Sequence, residues 1–423
     1  MLVFVENLGC AKNLVDSEKI IAEFINSGYE ITDNPVSAQI IVINTCSFIL
    51  PAREEAIDII MDYSTLKQDG KLEKLVVTGC LVDMYKNELR KELTEADYII
   101  SIKNMPEFIQ KLNANSFYEE KIPRYIVTPK GQAYLKIADG CSRKCSFCTI
   151  PSFKGPFNSY SIDELIAEAN YLSSKGIKEV NLVAQDLTAY GIDINANLVT
   201  LLKELCKIDE IKWLRLLYTY PDGIDNDLMD LIAKNKKICP YIDLPLQHLD
   251  NNVLKLMKRW GSYEKYLGLI SNLRERIPGI AVRSTLIVGF PGEDENAFQN
   301  LYNRVEEIKF DRLGVFEYSD EEGTEAFNLD NKVDGETKSE RYHEIMELQM
   351  DISAGLLAKR VGTECPALVE DVWEDGERIC RSVYEAPEVD GLILVSNSQA
   401  LPGDFINIKI TESQEYDLYA EEI

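Results

Sequence analysis

The strongest constraint on the fold is a repeated alternation. Six short runs rich in β-branched and aromatic residues, Tyr134 to Ala138, Glu179 to Ala184, Trp213 to Tyr218, Tyr241 to Leu244, Ala281 to Val288 and Arg312 to Tyr318, are each separated from the next by at least one stretch of helical period. Strands that alternate with helices run parallel and are covered on both faces. Six such units predict an incomplete (βα)6 barrel, with its chemistry at the carboxyl ends of the strands. Ser161 followed by Glu164 predicts a capping box on the first barrel helix.

The same alternation appears earlier and on a smaller scale. Leu2 to Leu8, Ile40 to Ile43, Leu75 to Val77 and Tyr98 to Ile100 read as strands, and Asp16 to Ile25, Ala52 to Met61 and Met84 to Leu93 as helices, which predicts an α/β, doubly wound parallel-sheet domain over residues 1–112. A polar stretch at 113–132, with Pro123 and Pro129 and neither period, reads as a linker to the barrel and exit helix at 133–360. Beyond Arg360 the pattern changes to short strands, Cys365 to Val372, Ile379 to Val383, Leu392 to Val395 and Phe405 to Ile410, separated by turn residues. Residues 361–423 are therefore expected to form a small antiparallel β-barrel of the oligonucleotide-binding type.

Two global features narrow the function. The formal net charge is -26, which opposes non-specific attachment to nucleic acid and suits a basic partner. No run of some eighteen uncharged apolar residues is present, and Met1 to Glu6 has no basic leader or cleavage site, so the chain is expected in the cytoplasm, off the membrane. In that reducing compartment its 10 cysteines read as metal ligands, catalytic thiols or core residues.

The spacing of the cysteines separates these roles. Cys141, Cys145 and Cys148 fall in one loop directly after the first barrel strand, four and three residues apart, so a single turn of chain can wrap an iron–sulfur cubane. Zinc would need a fourth ligand, and His248 and His343 are far off in sequence. Three ligands leave one iron of four open to bind S-adenosylmethionine (SAM) and pass it an electron. Phe147 is placed to lie against an adenine; an ordinary core phenylalanine is the alternative.

Cys10, Cys46 and Cys80 each follow a strand of the first domain, and in a doubly wound sheet such strand ends gather at one crevice. Gly9 and Gly79 would let backbone approach a bulky inorganic group there. Chance placement of three buried thiols is the competing reading. Cys206, Cys239, Cys365 and Cys380 have no partner at ligand spacing and are read as core residues. Gln185 and Asp186, the Pro245 to His248 run and the Gly289 to Glu293 turn all fall at barrel strand ends, where polar groups tend to be functional, although His248 suits a packed core equally.

With these residues in hand, the whole chain resembles the radical-SAM methylthiotransferases, which join an amino-terminal methylthiotransferase domain, a radical-SAM barrel and a carboxyl-terminal TRAM domain. The resemblance implies two [4Fe-4S] clusters, one on Cys141, Cys145 and Cys148 and one on Cys10, Cys46 and Cys80, with SAM as co-substrate. The runs Gly9 to Glu18, Ala184 to Gly191 and Tyr384 to Gly391 look like the branch that methylthiolates the β-carbon of an aspartate in small-subunit ribosomal protein S-twelve. Ala11 departs from the proline expected beside the first ligand. The resemblance also implies a reductant such as flavodoxin or ferredoxin, and no catalytic residue beyond the cluster ligands.

Two other readings stay open at this point. One is a tRNA adenosine-derivative methylthiotransferase; the other is a non-catalytic iron–sulfur protein for RNA binding or electron transfer. Between Thr363 and Ile423 fifteen acidic residues face three basic ones, so direct tRNA binding by this module is not expected, whereas a basic ribosomal protein would be attracted.

Overall fold

The computed structural model describes residues 1–112, 121–374 and 376–423, so the first part of the expected linker, 113–120, lies outside the described residues. The chain divides into two compact units: Met1–Val127 with Gly140–Ser142 and Thr149–Pro156, and Thr128–Asp139 with Arg143–Cys148 and Phe157–Ile423.

In the first unit β1 (Leu2–Asn7), β2 (Glu30–Ile31), β3 (Ile40–Thr45), β4 (Lys74–Gly79) and β5 (Tyr98–Ile99) form a parallel sheet in the order β2-β1-β3-β4-β5. The helices are α1 (Ala11–Asn26), α2 (Leu50–Gln68), α3 (Cys80–Glu92), α4 (Met105–Leu112) and the short α5 (Ile150–Lys154). Alternate residues of one strand serve opposite faces. Ile41, Ile43, Leu75 and Val77 pack with Ala56 and Ile60 of α2 and Leu81 and Leu89 of α3. Val3, Ile40, Val42 and Val76 pack with Ile20 and Phe24 of α1 and Met105 and Ile109 of α4. All six residues of β3 are buried, as a strand covered on both faces requires. The sequence reading missed β2, which is only two residues long, and started α1 five residues late.

Residues 121–127 return to α1. Asn26 exchanges two hydrogen bonds with the backbone of Ile122, and Glu18, wholly buried, pairs with buried Arg124 while its Oε1 accepts the Val127 N–H at 2.7 Å.

The second unit opens with β6 (Gln132–Lys136) and the small pair β7 (Ala138–Asp139) and β8 (Asn158–Ser159). Then follow α6 (Ile162–Ser174), β9 (Glu179–Val183), α7 (Leu198–Leu205), β10 (Trp213–Leu216), α8 (Asn226–Lys234), β11 (Ile238–Asp243), α9 (Asn251–Leu256), α10 (Tyr263–Arg276), β12 (Ala281–Val288), α11 (Glu295–Ile308), β13 (Arg312–Glu317) and α12 (Gly335–Leu357). The six long strands form one all-parallel sheet in the order β13-β12-β11-β10-β9-β6, sequential and unclosed, which is the incomplete (βα)6 barrel expected. Ser161 and Glu164 make the reciprocal capping box, and Asn197, Asp225, Asp250, Ser262, Asp294 and Asp334 cap the helices that follow.

The carboxyl-terminal strands β14 (Glu364–Val372), β15 (Arg378–Arg381), β16 (Ile393–Ser396), β17 (Phe405–Ser413) and β18 (Leu418–Glu422) close a barrel in the order β14-β15-β16-β18-β17 around Ala367, Val369, Ile393, Val395, Ile408 and Ile410. The sequence reading found four strands. The fifth, β18, is only Leu418, Tyr419 and Ala420 followed by two glutamates, with no clear period of its own, yet it shuts the barrel, pairing parallel with β16 and antiparallel with β17.

This small barrel floors the large one. Glu179, Trp213 and Arg312, the first residues of β9, β10 and β13, meet Arg381, Phe405 and Glu385 respectively. Arg215 reaches the carbonyls of Ser382 and Val383, and the Tyr241 hydroxyl donates to Asp390 at 2.7 Å. The run Tyr384 to Gly391, singled out by resemblance, is thus the loop that plugs the amino-terminal ends of the barrel strands.

Candidate functional site

The first group of thiols is built by strand register. Asn7 pairs with Asn44 and Thr45 with Gly79, so Cys46 and Cys80 directly follow partnered residues, and Cys10 leaves the neighbouring strand. Cys10 precedes α1 and Cys80 opens α3, which puts both thiols at helix amino termini, where the peptide dipoles favour negative charge. Asn13 ties them together: its Oδ1 lies 3.8 Å from Cys10 Sγ and 3.6 Å from Cys80 Sγ, while its Nδ2 donates to the Thr45 carbonyl at 3.1 Å.

Glycine makes the approach possible. Gly79 has φ +102, and a Cβ there would lie 2.4 Å from both the backbone N and O of Thr45. A Cβ at Gly9 would strike the Asn13 side chain at 2.4 Å. Protein packed around Cys10 disfavours its thiolate, but Lys12 and the N–H groups of the first turn of α1 outweigh that and bring its pKa below the ordinary thiol value. Burial pushes the Cys46 thiol up, and pushes Cys80 up to about 12 despite Lys154, which stands 3.6 Å from Asp83 on α3. Three thiols at the carboxyl ends of three adjacent strands, two sharing an amide and one too buried to ionise unaided, suit an inorganic cationic group that would deprotonate them. Among the described residues no three His, Cys, Asp or Glu side chains are drawn in around a single metal-ion position; a cubane spreads its ligands around a wider core.

The second group lies on the loop Gly140 to Cys148. Gly140 has φ +76, and a Cβ there would meet the Pro156 carbonyl at 2.3 Å, so the start of the loop folds back on 155–156, where Cys141 N donates to Gly155 O at 3.1 Å. The rest of the loop is held from several barrel strand ends. Arg143 gives Nε to Asp186 at 2.7 Å and both Nη groups to Asp222 at 2.6 Å. Ser146 donates its N–H to the Met257 carbonyl and its hydroxyl to the Leu256 carbonyl, and its own carbonyl accepts from Ala326 N at 2.8 Å.

Arg259, in the segment after α9, donates to Cys145 Sγ at 3.5 Å and is anchored by the Pro245 carbonyl. The guanidinium carbons of Arg143 and Arg259 stand over the Tyr220 ring, 3.8 and 4.1 Å from its centre. A thiolate at Cys145 therefore has a permanent cation beside it. This residue set suits a cluster whose sulfurs accept hydrogen bonds.

The remaining candidates divide. Asp186 is a clamp on the cysteine loop, and Gln185 donates to Asp139 at 2.9 Å. Phe147 is half-buried and packs on a cluster that includes Val253, Met257 and Phe290, with its ring 6.4 Å from that of Phe290. His248 is structural: its Nδ1 accepts from Asp250 N at 2.9 Å, so Nε2 carries the proton and donates to Glu293 at 2.9 Å. Glu293 also accepts from Gly289 N and from Arg341 of α12, which closes the Gly289 to Glu293 turn on itself. Cys239 and Cys380 are buried in the core, and Cys206 and Cys365 are half-buried.

Sequence reasoning missed Arg259 and Asn13 as partners of the thiols. Asn13 lies three residues after Cys10, on the first turn of the helix that cysteine precedes, and that spacing was available; nothing local marks Arg259, which reaches Cys145 across 114 positions.

Comparison with known proteins agrees with the fold. The Radical SAM superfamily matches residues 135–305, the Uncharacterized protein family UPF0004 residues 2–101 and the TRAM domain residues 361–423. Ribosomal protein uS12 methylthiotransferase RimO of Geotalea uraniireducens is 43% identical over 433 residues, covering 98% of this chain and 97% of that one. The protein of the same name from Caldicellulosiruptor saccharolyticus is 44% identical over 435 residues, covering 99% and 98%. Among solved structures, the radical SAM methyltransferase TsrM of Kitasatospora setae shares the fold, with a TM-score of 0.54 at 15% identity over 74% of this chain and 72% of that one. The chain belongs to the RimO family of radical-SAM methylthiotransferases.

Proposed function

We propose that this enzyme places a methylthio group on the β-carbon of an aspartyl side chain of uS12, the small-subunit protein S-twelve, with two [4Fe-4S] clusters and SAM. The observation that carries the reading is the near full-length likeness, through all three matched regions, to enzymes named for that activity. Cys141, Cys145 and Cys148 would hold one cluster and Cys10, Cys46 and Cys80 the other, with Phe147 beside the SAM adenine. Bound together, cluster and SAM supply one-electron cleavage of a carbon–sulfur bond, and with it the means to remove hydrogen from an unactivated carbon.

The chain's own part is position and charge. Arg143 and Ser146 fix the loop, Arg259 lends Cys145 a hydrogen bond, and Asn13 and Gly79 bring the other thiols together. The electrons would come from a protein such as flavodoxin or ferredoxin. Residues 1–112, 133–360 and 361–423 would serve as separate modules for sulfur, radical chemistry and recruitment.

Charge favours a basic protein over tRNA as the partner. Of the three basic residues after Thr363, Arg381 is buried on Glu179 and Glu370, Arg378 is bound to the Gly376 and Ala400 carbonyls, and Lys409 pairs in register with Glu364 and Glu421 on the flanking strands. The outer face left is acidic, with Asp371, Glu374, Glu412 and Glu415 exposed. Glu370 belongs to the floor of ion pairs and not to this face. The test offers uS12 and unmodified tRNA side by side to reconstituted enzyme. Methylthiolation of uS12 is expected; methylthiolation of tRNA alone would replace the reading with the tRNA one, and absence of SAM cleavage under a reductant would remove both.

A further inference from the structure

One charged side chain inside the large barrel belongs neither to the cysteine loop nor to the floor of ion pairs. Arg283 lies on β12, in register with Asp243 of β11 and Arg312 of β13. Its side chain is 14% exposed, and its one ion-pair contact among the described residues is Nε to Asp243 Oδ1 at 3.8 Å. No hydrogen bond among the described residues holds its guanidinium, whereas Arg215, Arg312 and Arg381 are each hydrogen-bonded to carboxylates. The remaining exposed part of the side chain lies on the strand face it shares with Thr285. A mostly buried guanidinium with five N–H donors so poorly matched is costly unless a further acceptor arrives.

The surroundings shape the space beside it. Thr285, two residues on along the same strand face, pairs with Gly314 of β13. A Cβ built at Gly314 would lie 3.7 Å from Arg283 Nη2 and 4.0 Å from Thr285 Oγ1, so the missing side chain leaves room beside both donors. The same point is 3.8 Å from the Phe316 ring, and Phe316 pairs with Ile287 two residues nearer the strands' carboxyl ends. From the floor upward the site therefore runs guanidinium, hydroxyl, apolar wall. That order matches a short acidic side chain that enters from the carboxyl ends: carboxylate on Arg283 and Thr285, methylene against Ile287 and Phe316. Guanidinium is the side chain best suited to grip a carboxylate through two parallel hydrogen bonds.

We propose that Arg283, with Thr285, binds the carboxylate of the aspartyl side chain that accepts the methylthio group, and so sets the enzyme's specificity for that residue. The proposal rests on the reading of uS12 as substrate.

The experiment uses the reconstituted full-length enzyme and two peptides that span the uS12 target loop, one with the target aspartate and one with asparagine in its place. Peptide affinity, methylthiolation and peptide-independent 5′-deoxyadenosine formation are measured for the wild type, Arg283→Gln and Arg283→Lys. The wild type is expected to bind the aspartate peptide about 10- to 100-fold more tightly than the asparagine peptide, the worth of a charge-assisted pair. Arg283→Gln should bind the two alike and lose methylthiolation while it cleaves SAM at the wild-type rate; Arg283→Lys should recover part of the preference. Undiminished preference in Arg283→Gln overturns the proposal alone. Loss of SAM cleavage with peptide preference intact overturns it in favour of the SAM carboxylate as the ligand. If the wild type modifies neither peptide nor intact uS12, the substrate reading fails first and takes the proposal with it.

Discussion

Arg381 and Glu179 stand 202 positions apart in the chain and meet in a buried ion pair, Nη2 to Oε2 at 2.6 Å. Arg215 takes the other oxygen of the same carboxylate at 2.9 Å, so one glutamate balances two buried guanidiniums. Glu179→Gln leaves Arg215 without its carboxylate and Arg381 with Glu370 alone, and should destabilise the second unit by about 3–5 kcal/mol. Denaturant unfolding checks this: a wild-type midpoint in the variant would show that the pair contributes little.

Glu385 gives the floor a pH dependence of definite sign. Burial alone would raise its pKa, but Arg360, Arg312 and Ser382 outweigh burial and hold it at about 2, below the ordinary 4.5. A depressed carboxylate adds stability that is fully present above pH 4.5 and is lost as pH falls towards 2. The interval corresponds to about 3 kcal/mol. The stability gap between wild type and Glu385→Gln should be constant at neutral pH and narrow below pH 4.5. A gap that widens on acidification would reverse the assignment.

Gly79→Ala should damage the first thiol group without touching the second. The new methyl group would strike the Thr45 backbone, and alanine would be forced to φ +102, at a combined cost of at least about 2 kcal/mol. Iron bound per chain should fall in this variant, while SAM cleavage under a reductant persists. Wild-type iron content would mean the strand ends can part without loss of the site.

The two triads should be separable. Reconstituted wild type is expected to hold about eight irons per chain, two cubanes' worth. Alanine at Cys10, Cys46 and Cys80 should halve that figure and stop methylthiolation, yet spare 5′-deoxyadenosine formation. Alanine at Cys141, Cys145 and Cys148 should abolish 5′-deoxyadenosine. Its persistence would place the SAM site elsewhere.

Reversal of Asp371, Glu374, Glu412 and Glu415 to lysine tests recruitment by the outer face. Modification of uS12 should slow at low salt and approach the wild-type rate as ionic strength rises, because steering acts through the association rate. An equal loss at every salt concentration would point to a misfolded barrel instead.

What the sequence made legible was what repeats locally. The alternation of strands and helices predicted both parallel sheets, and Ser161 with Glu164 marked the first barrel helix to the residue. The cysteine loop and the strand-end thiols were visible because ligand spacing and strand ends are both local patterns. Long-range pairing was not visible. Nothing local pairs Glu370 with Arg381, and His248, which suited a functional strand end and a packed core equally, is decided by Glu293 and the Asp250 N–H, which occupy both ring nitrogens. β18 escaped because two ladders, not its own composition, make it a strand.

The plug formed by Tyr384 to Gly391 has a consequence for chimaeras. Its acidic groups complete a charge and a hydrogen bond that belong to another region of the chain: Glu385 answers the Arg312 guanidinium, and Asp390 accepts from the Tyr241 hydroxyl. A carboxyl-terminal barrel grafted from a distant relative would bring its own loop and leave those partners mismatched beneath the reaction chamber. Only the outward-facing residues of this barrel are therefore free to diverge, and a change of recruited partner has to be written on its skin.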